Sequence, residues 1–406
     1  MNTKTEIIPG GCTTSPQGFL AGATYAGIKH KSKAALDLSV LFCEVSCRTA
    51  ATFTTNKVQA APVILDRQIV EKYGQARAVV INSGCANACT GEEGLTNAGT
   101  TARLAAEKLK IKAEEVLVAS TGVIGVQLPM DKIQAGIQQV KLSREGGNDL
   151  TRAIMTTDTF PKQIAVRVTC GESQFVIGGA AKGAGMIHPD MATMLCFLTT
   201  DAAVSAPFLK AALKRSIVTS FNMISVDGDT STNDTAILMA SGLAGNPIIT
   251  ASSALAGAFQ QALTEVCVYL AKCIARDGEG ATRLIEIHVN GARTAKEAGK
   301  AARVISSSPL VKTAVHGCDP NWGRIIAAAG RSRAELVPEK SDVYIGEYCL
   351  LKAGVPQAFD KKAISRLLGN PEVFIRVELN LGDGRATAWG CDLSEEYVAV
   401  NAEYTT

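Results

Sequence analysis

The sequence predicts a mixed α/β or α+β fold, and three features of the chain support this class. Short β-branched runs that favour strands are interleaved with Ala- and Leu-rich runs that favour helices. Their order is not a strict strand–helix alternation, so a plain doubly wound sheet is not favoured. The composition is that of an ordinary folded protein, because 47% of the 406 residues are hydrophobic and 19% are charged.

The predicted elements follow from local periodicity. The helix over 129–140 carries Pro129 and Asp131 in its first turn, where both residue types suit a helix start. The longest helical run ends just before a Gly-rich break, DGEG. Strands are predicted around 39–45 and over 77–82, 115–120, 163–169, 174–180, 235–240, 284–289 and 373–380. Helices are predicted over 96–111, 129–140, 206–221 and 252–275.

The length favours two or three domains, at about 150 residues per domain. No Pro- or Ser-rich linker and no internal repeat divides the chain. The weak candidates for breaks are 141–150 and the region near 245–253. We therefore expect domains that share a substantial interface.

Charge and cysteine usage exclude several classes of protein. Lys and Arg number 41 against 38 Asp and Glu, which gives no electrostatic argument for nucleic acid or an anionic membrane. No apolar run is long enough to span a bilayer and no secretory signal is apparent, so we expect a cytoplasmic protein. The 12 cysteines are scattered without a Cys-x-x-Cys pair, which favours reduced, mostly buried thiols. The cysteine spacing also argues against a metal site.

The common nucleotide and hydrolase motifs are absent. No P-loop and no G-x-S-x-G elbow occur, and KGAGMIHP has His188 where a dinucleotide fingerprint needs its third glycine. The acidic segment 226–234 lacks the Gly and Glu that a calcium loop requires, so it predicts a structured turn at a strand end.

The most unusual stretch is 176–202, in which small residues from Gly178 to Gly185 surround Lys182. Such a lysine would be a rigidly placed cation suited to a carboxylate, although a Gly-rich turn with Lys182 in solvent is the alternative. Three other segments place hydroxyls or carboxylates at element ends, two of them beside glycines, where sites often lie and where ordinary capping also occurs. They are 119–125 with Thr121 and Gly122, 155–162 around Asp158, and 275–283 with Glu279.

The run KGAGMIHPDMATML (182–195) resembles the autoprocessing signature of the ornithine acetyltransferase family, the bifunctional glutamate N-acetyltransferases of arginine biosynthesis. The resemblance extends over essentially the whole chain in the same order. The other matching runs are QGFLAGATYAGIK (17–29), NSGCANACTG (82–91), STGVIG (120–125), TTDT (156–159), DGDTSTND (227–234), ARDGEGATR (275–283), SSPLVKTAVHGCDPNWGRI (307–325), GRATAWGCDL (384–393) and NAEYTT (401–406).

The resemblance implies a DmpA/ArgJ-like fold, with two α/β domains around an N-terminal threonine nucleophile released inside the chain. The precursor would cut itself between Ala192 and Thr193, giving an α chain of residues 1–192 and a β chain of residues 193–406. Their masses would be about 20 and 22 kDa of the 42.4-kDa total. Two α and two β chains would form a heterotetramer.

The implied chemistry explains why the chain needs no catalytic histidine, which leaves His188 a structural role. Cleavage frees the α-amino group of Thr193, whose ordinary pKa of about 7.7–8.0 suits a general base. That amine activates the hydroxyl of the same residue, which is otherwise a weak nucleophile. N2-acetyl-L-ornithine would acetylate Thr193, and L-glutamate would then accept the acetyl group.

The remaining site residues are implied by the resemblance alone. Thr121 and Gly122 would form the oxyanion hole. Lys182 would pair with a substrate carboxylate, and Glu279 would meet an ammonium or, alternatively, help proton transfer. Thr157 is an alternative to its neighbour Thr156. No metal and no bound organic cofactor is implied. The implied substrate-binding residues are Thr156, Lys182, Thr193, Glu279, Asn401 and Thr406.

Three functional alternatives stay open at this stage. Acetyl-CoA would be a second donor if the enzyme is also an amino-acid N-acetyltransferase. An amidase or aminopeptidase with the same N-terminal threonine would pass the acyl group to water. A cysteine-rich binding or scaffold protein would keep the Ala192–Thr193 bond intact.

Overall fold

The computed structural model describes residues 3–29, 35–188 and 194–403. The strands within these ranges form two mixed β-sheets, against which the helices pack. The strands are β1 (Thr3–Ile7), β2 (Phe19–Thr24), β3 (Leu38–Phe53), β4 (Gln75–Cys85), β5 (Val116–Val123), β6 (Lys162–Cys170), β7 (Ser173–Lys182), β8 (Leu195–Thr200), β9 (Ile224–Ser225), β10 (Thr235–Ala240), β11 (Leu284–Ala292), β12 (Asp342–Ile345), β13 (Tyr348–Lys352), β14 (Val355–Pro356), β15 (Glu372–Glu378) and β16 (Gly384–Cys391). The helices are α1 (Ala61–Tyr73), α2 (Gly91–Leu109), α3 (Met130–Gln139), α4 (Gly147–Ala153), α5 (Ala206–Thr219), α6 (Ala256–Arg276), α7 (Ala295–Ser306), α8 (Pro309–His316), α9 (Trp322–Gly330), α10 (Lys361–Leu368) and α11 (Glu395–Glu403).

The strands and helices predicted from periodicity are confirmed, and the differences lie at their ends. Helix α2 begins at Gly91, five residues before the predicted start, with Glu92 and Glu93 in its first turn. Acidic residues there are favoured by the helix dipole. Strand β3 continues well past 39–45, and its pairing with β4 shifts register between Phe42 and Cys47. That irregularity interrupts the alternation on which the shorter prediction depended.

The first sheet runs in the order β1-β6-β7-β8-β10-β3-β4-β5, with β2 also paired to β3. Strands β8 and β10 form a parallel pair inside it, and β8 pairs antiparallel with β7 so that Lys182 lies opposite Leu195. Segments from both sides of the predicted cleavage point therefore share one sheet. The boundary between 192 and 193 is not a boundary between the two sheets.

The second sheet runs in the order β14-β13-β12-β15-β11-β16-β9. Helix α6 packs against β6 and β7 of the first sheet and against β16 and β9 of the second. Its apolar face is fully buried, as at Phe259, Val266 and Leu270. The two sheets thus share one hydrophobic core, as expected from the lack of a linker. No helix in the described ranges is long and apolar enough to cross a membrane.

Strand β5 lies at the end of the first sheet, and a buried carboxyl group covers part of its open edge. Asp66 of α1 accepts a hydrogen bond of 2.8 Å from the backbone N–H of Val118 in β5. Its second oxygen, Oδ2, is buried and has no hydrogen-bond partner. Burial raises the pKa of Asp66 well above its usual value, because the charged form is not solvated there.

We predict that Asp66→Asn stabilises the protein at alkaline pH. Because the carboxyl pKa is higher in the folded protein than in the unfolded chain, where it is near 4, the native state loses stability as the pH rises above 4. An amide does not titrate, so the variant avoids this loss. The variant should have a free energy of unfolding higher by about 1–3 kcal/mol at pH 8, with almost no difference near pH 4. Urea titrations at both pH values measure this, with the exposed Asp383→Asn as control. A difference that does not change with pH contradicts the prediction.

Candidate functional site

A cavity of about 270 Å³ lies where the ends of β5 and β7 meet the loop between β9 and β10 and the helix α11. Met194 and Leu195, at the start of β8, form part of its wall. Its lining residues come from segments far apart in the sequence. They are Ala86, Thr121, Gly122, Ile124, Thr156, Thr157, Lys182, Gly185, Met186, Ile187, Met194, Leu195, Asp227, Asp229, Ser231, Thr232, Asn233, Asp234, Glu279, Tyr397 and Asn401.

The cavity brings together six of the residues that the family resemblance implies, and both Thr156 and Thr157 face it. The six are Thr121, Gly122, Thr156, Lys182, Glu279 and Asn401. Ala192, Thr193 and Thr406 lie outside the described residues. The roles implied for all of these residues remain predictions.

Two strands approach closely at the corner that holds Thr121 and Gly122. Gly122 has φ +130° and lies beside Gly84 of β4. A Cβ atom at Gly122 would be 2.3 Å from the carbonyl carbon of Gly84, so a larger residue cannot occupy this position without moving the backbone. The close approach leaves the end of β5 in the cavity wall, where Thr121 is 9% exposed.

Lys182 is the last residue of β7, and its ammonium donates a 3.2 Å hydrogen bond to Oγ1 of Thr121. It is 9% exposed, so the alternative in which it points into solvent is wrong. Burial lowers the pKa of Lys182, whereas the carboxylates of Asp158, Asp234 and Glu279 oppose that shift. Lys182 is the one Lys or Arg among the described lining residues, and its ammonium is therefore the group there that can bind a carboxylate.

Glu279 lies in the turn that follows α6. Its backbone N–H donates a 3.0 Å hydrogen bond to the carbonyl of Ala184, and its carboxylate accepts one of 2.9 Å from Nδ2 of Asn401. Gly185 packs directly against that carboxylate, since a Cβ atom there would be 2.4 Å from both carboxylate oxygens. Glycine at 185 therefore gives the Glu279 side chain its position.

The acidic segment 226–234 is the structured turn that the sequence predicts, and it connects β9 to β10. Asp227 accepts hydrogen bonds of 2.6 and 2.9 Å from the backbone N–H groups of Met186 and Ile187. Asn233 donates hydrogen bonds to two backbone carbonyls near the end of β5, those of Ala86 and Ser120. Sequence analysis missed this wall of the cavity, because its partners are distant in the chain.

A buried ion network lies behind the cavity wall. Asp158 accepts a 2.6 Å hydrogen bond from Nζ of Lys162, which also contacts Asp277 at the end of α6. Burial alone would raise the pKa of Asp158, but the ammonium groups of Lys162 and Lys182 lower it to about 2. The sequence indicated Asp158 through its neighbouring hydroxyls, but sequence analysis did not single out Lys162 or Asp277. The signal for Lys162 was its place in phase with the apolar residues of β6.

The ArgJ family model matches residues 20–406 of this chain. The arginine biosynthesis bifunctional protein ArgJ of Dehalococcoides mccartyi is 54% identical over 406 residues, which cover 100% of both chains. The protein of the same name from Symbiobacterium thermophilum is 53% identical over 403 residues, covering 99% of this chain and 100% of the relative.

The chain belongs to the ArgJ family. The family predicted from the sequence is thus confirmed, and with it the assignment to the acetyltransferases of arginine biosynthesis. The amidase alternative finds no support in these relatives. A crystal structure of arginine biosynthesis bifunctional protein ArgJ from Bacillus halodurans matches with 47% identity and a TM-score of 0.51. The match covers 51% of this chain and 98% of that one.

Two further features of this ArgJ-family chain bear on the predicted chemistry. His188 does not line the cavity; its Nδ1 lies 3.0 Å from Oγ of Ser225 and its Nε2 lies 3.2 Å from Arg303. These contacts are consistent with the structural role expected for it. Among the residues that the structure describes, no group of three or more His, Cys, Asp and Glu side chains is placed to hold a metal ion.

We predict that Gly185→Ala lowers acetyltransferase activity without unfolding the ArgJ-family protein. The new methyl group displaces the Glu279 carboxylate, which is the mobile end of a side chain, and a misplacement of about 1 Å can cost as much as 100-fold in rate. We expect kcat/KM to fall by about tenfold or more while the thermal midpoint stays within a few degrees.

The matched control is Gly257→Ala in α6, where an added Cβ meets no atom within 4 Å. This substitution should leave activity unchanged and stabilise the helix by about 0.5–1 kcal/mol. Full activity of Gly185→Ala would show that the position of Glu279 is not critical.

Proposed function

We propose that this enzyme transfers the acetyl group of N2-acetyl-L-ornithine to L-glutamate, giving L-ornithine and N-acetyl-L-glutamate. The observation that carries the proposal is the charge pattern of the cavity. One buried ammonium, that of Lys182, shares the cavity with the carboxylate of Glu279. The α-carboxylate of acetylornithine would bind the ammonium of Lys182, and its side-chain ammonium would bind the carboxylate of Glu279. Thr156 or Thr157 contributes a hydroxyl to the same cavity.

In this proposal Thr193 is the nucleophile, released when the precursor cuts the Ala192–Thr193 bond. The Thr193 hydroxyl attacks the carbonyl of Ala192, the peptide C–N bond breaks, and water hydrolyses the resulting ester. Met194, the next residue in the chain, lines the cavity, and its carbonyl accepts a 2.9 Å hydrogen bond from Thr235 of β10. The half-length chain in the Bacillus halodurans structure has about the size of one cleavage product, which also supports the proposal.

The free α-amino group of Thr193 then takes the hydroxyl proton as the oxygen attacks the acetyl carbonyl. The amide C–N bond of acetylornithine breaks, and the proton passes to the leaving amine of ornithine. The amine of glutamate attacks the acetyl ester in the second half-reaction, and the proton returns to the threonine oxygen. Thr121 and Gly122 stabilise both oxyanions, and one such donor can contribute about 3–4 kcal/mol.

The proposal extends to assembly and location. We place the two cleavage products in a heterotetramer of two α and two β chains in the cytoplasm. The hydrogen bonds between β7 and β8 support the association of the products, because they join residues on opposite sides of the cleaved bond. The twelve free and mostly buried cysteines are typical of a reducing compartment. No bound cofactor is needed for these steps; acetyl-CoA would enter only as an alternative acetyl donor.

We predict that the purified protein runs as two bands of about 20 and 22 kDa on a denaturing gel, while Thr193→Ala gives one band of 42.4 kDa. Removal of the attacking hydroxyl stops the acyl shift that breaks the chain. The exposed Thr96→Ala serves as control and should be cleaved normally. Cleavage of Thr193→Ala at the same bond would rule out this nucleophile.

We predict that mature enzyme given acetylornithine and glutamate releases equal amounts of ornithine and N-acetylglutamate. With acetylornithine alone, mass spectrometry should find the β chain heavier by one acetyl group. Acetyl-CoA in place of acetylornithine shows in the same assay whether the enzyme is also an amino-acid N-acetyltransferase. Release of free acetate at a rate independent of glutamate would instead identify an amidase.

A further inference from the structure

One buried lysine connects three of the segments that form the cavity. Nζ of Lys162, at the start of β6, lies 2.6 Å from Oδ1 of Asp158 and also contacts Oδ2 of Asp277. The side chains of these three residues, which we call the buried triad, are at most 2% exposed. Lys162 does not line the cavity, so it cannot touch a substrate there.

Each carboxylate of the buried triad holds the backbone of a segment that reaches the cavity. Asp158 accepts hydrogen bonds from the backbone N–H groups of Thr156, at 2.9 Å, and of Gly183, at 2.7 Å. Thr156 lines the cavity, and Gly183 directly follows Lys182. The position of Lys182 is therefore coupled to that of the segment around Thr156.

Asp277 makes the corresponding connection to the third segment. It accepts a 3.0 Å hydrogen bond from the backbone N–H of Thr159 and precedes Glu279 by two residues. The ammonium of Lys162 is the group that joins this carboxylate to Asp158. Without it, Asp277 keeps its contacts with Thr159 in this loop, and Glu279 keeps its backbone hydrogen bond to Ala184, but the direct link between the two carboxylates is lost.

Stability alone does not account for this arrangement. A buried ion network pays a large desolvation cost, and well-packed apolar residues in its place are often as stable or more stable. Charged partners add geometric specificity, because charge-assisted hydrogen bonds are short and fix the relative orientation of both groups. We therefore expect the buried triad to fix the positions of the segments it joins relative to one another.

We propose that Lys162 is a positioning residue for the acetyl transfer, acting through Asp158 and Asp277 to fix Thr156, Lys182 and Glu279 relative to one another. This inference rests on the proposed function. Because Lys182 also contacts Thr121 at the predicted oxyanion corner, a shift of these segments disturbs the transition state of both half-reactions.

The test compares Lys162→Met with the charge-balanced double variant Lys162→Met/Asp277→Asn. The single variant leaves two buried carboxylates without the ammonium that contacts both of them, and it is expected to fold poorly. The double variant removes one of these two carboxylates and leaves Asp158 under the electrostatic influence of Lys182, so its thermal midpoint should recover towards that of the wild type. The Asp277→Asn change keeps a side-chain acceptor for Thr159, whereas the ionic connection through Lys162 is lost.

The matched control is Lys108→Met in α2. Nζ of Lys108 donates to three backbone carbonyls, those of Ile137, Gln138 and Val140, and lies away from the cavity. This substitution removes a comparable number of lysine contacts from the fold. It should lower the thermal midpoint and leave the kinetic constants of the folded enzyme unchanged.

For the double variant we expect kcat to fall by about 10- to 100-fold for both half-reactions, while KM for either substrate changes less than about threefold. All kinetic constants refer to the cleaved, folded fraction. Recovery of both stability and kcat in the double variant would overturn the positioning role, and so would an equal loss of kcat in Lys108→Met.

If the double variant does not fold, Asp277→Asn alone decides the question. It is isosteric, keeps the pair between Asp158 and Lys162, and should lower kcat by about tenfold; unchanged kinetics contradict the proposal. The proposed function has a separate outcome in the same assay. Wild-type enzyme that transfers no acetyl group from acetylornithine to glutamate would contradict that function, whereas active wild type with a fully active double variant contradicts only the role of Lys162.

Discussion

The burial of one ammonium group among acidic residues from three separate segments is the constraint on which the architecture around the cavity depends. Lys182 ends a central strand of the first sheet, where burial opposes its positive charge. Acidic groups near it come from the loop before β6, from the end of the 226–234 turn and from the turn after α6. Each of these segments brings its carboxylate near Lys182 only when the strands and helices on either side of it are correctly packed. The local electrostatics of one side chain thus depend on the whole tertiary fold.

Helix α6 connects these requirements to the second sheet. It packs between the two sheets and ends with Arg276, so Asp277 and Glu279 emerge at its carboxyl terminus beside the first sheet. The carboxyl end of a helix already carries partial negative charge, to which Asp277 adds a full one. The ammonium of Lys162 contacts Asp277 from the buried face of β6, where it follows the same alternation as Ile164 and Val166. The second sheet therefore contributes to the cavity by fixing α6.

Local patterns predicted the strands, the long helices and the mixed class of fold, because periodicity depends on neighbours in the chain. The ordered motifs predicted the family and the residues around Lys182, Glu279 and Thr121. What the sequence could not indicate was the partner of each group. Lys162 is in phase with the apolar residues Ile164 and Val166 of β6, a spacing that indicates burial but names no partner, and Asp277 has the position of an ordinary helix end. Their importance arises from one contact that spans 115 residues of the chain.

The shared first sheet has a consequence for how a cleaved enzyme would lose its structure. Strands β7 and β8 are neighbours in the ladder but would belong to different polypeptides once the chain is cut. The precursor folds as one molecule, whereas the mature form, once unfolded, must find its other half by diffusion. Its apparent stability then varies with protein concentration, and heat inactivation becomes irreversible in practice. The mature enzyme would keep its structure because it unfolds slowly. Once its two chains separate, they would not reassemble.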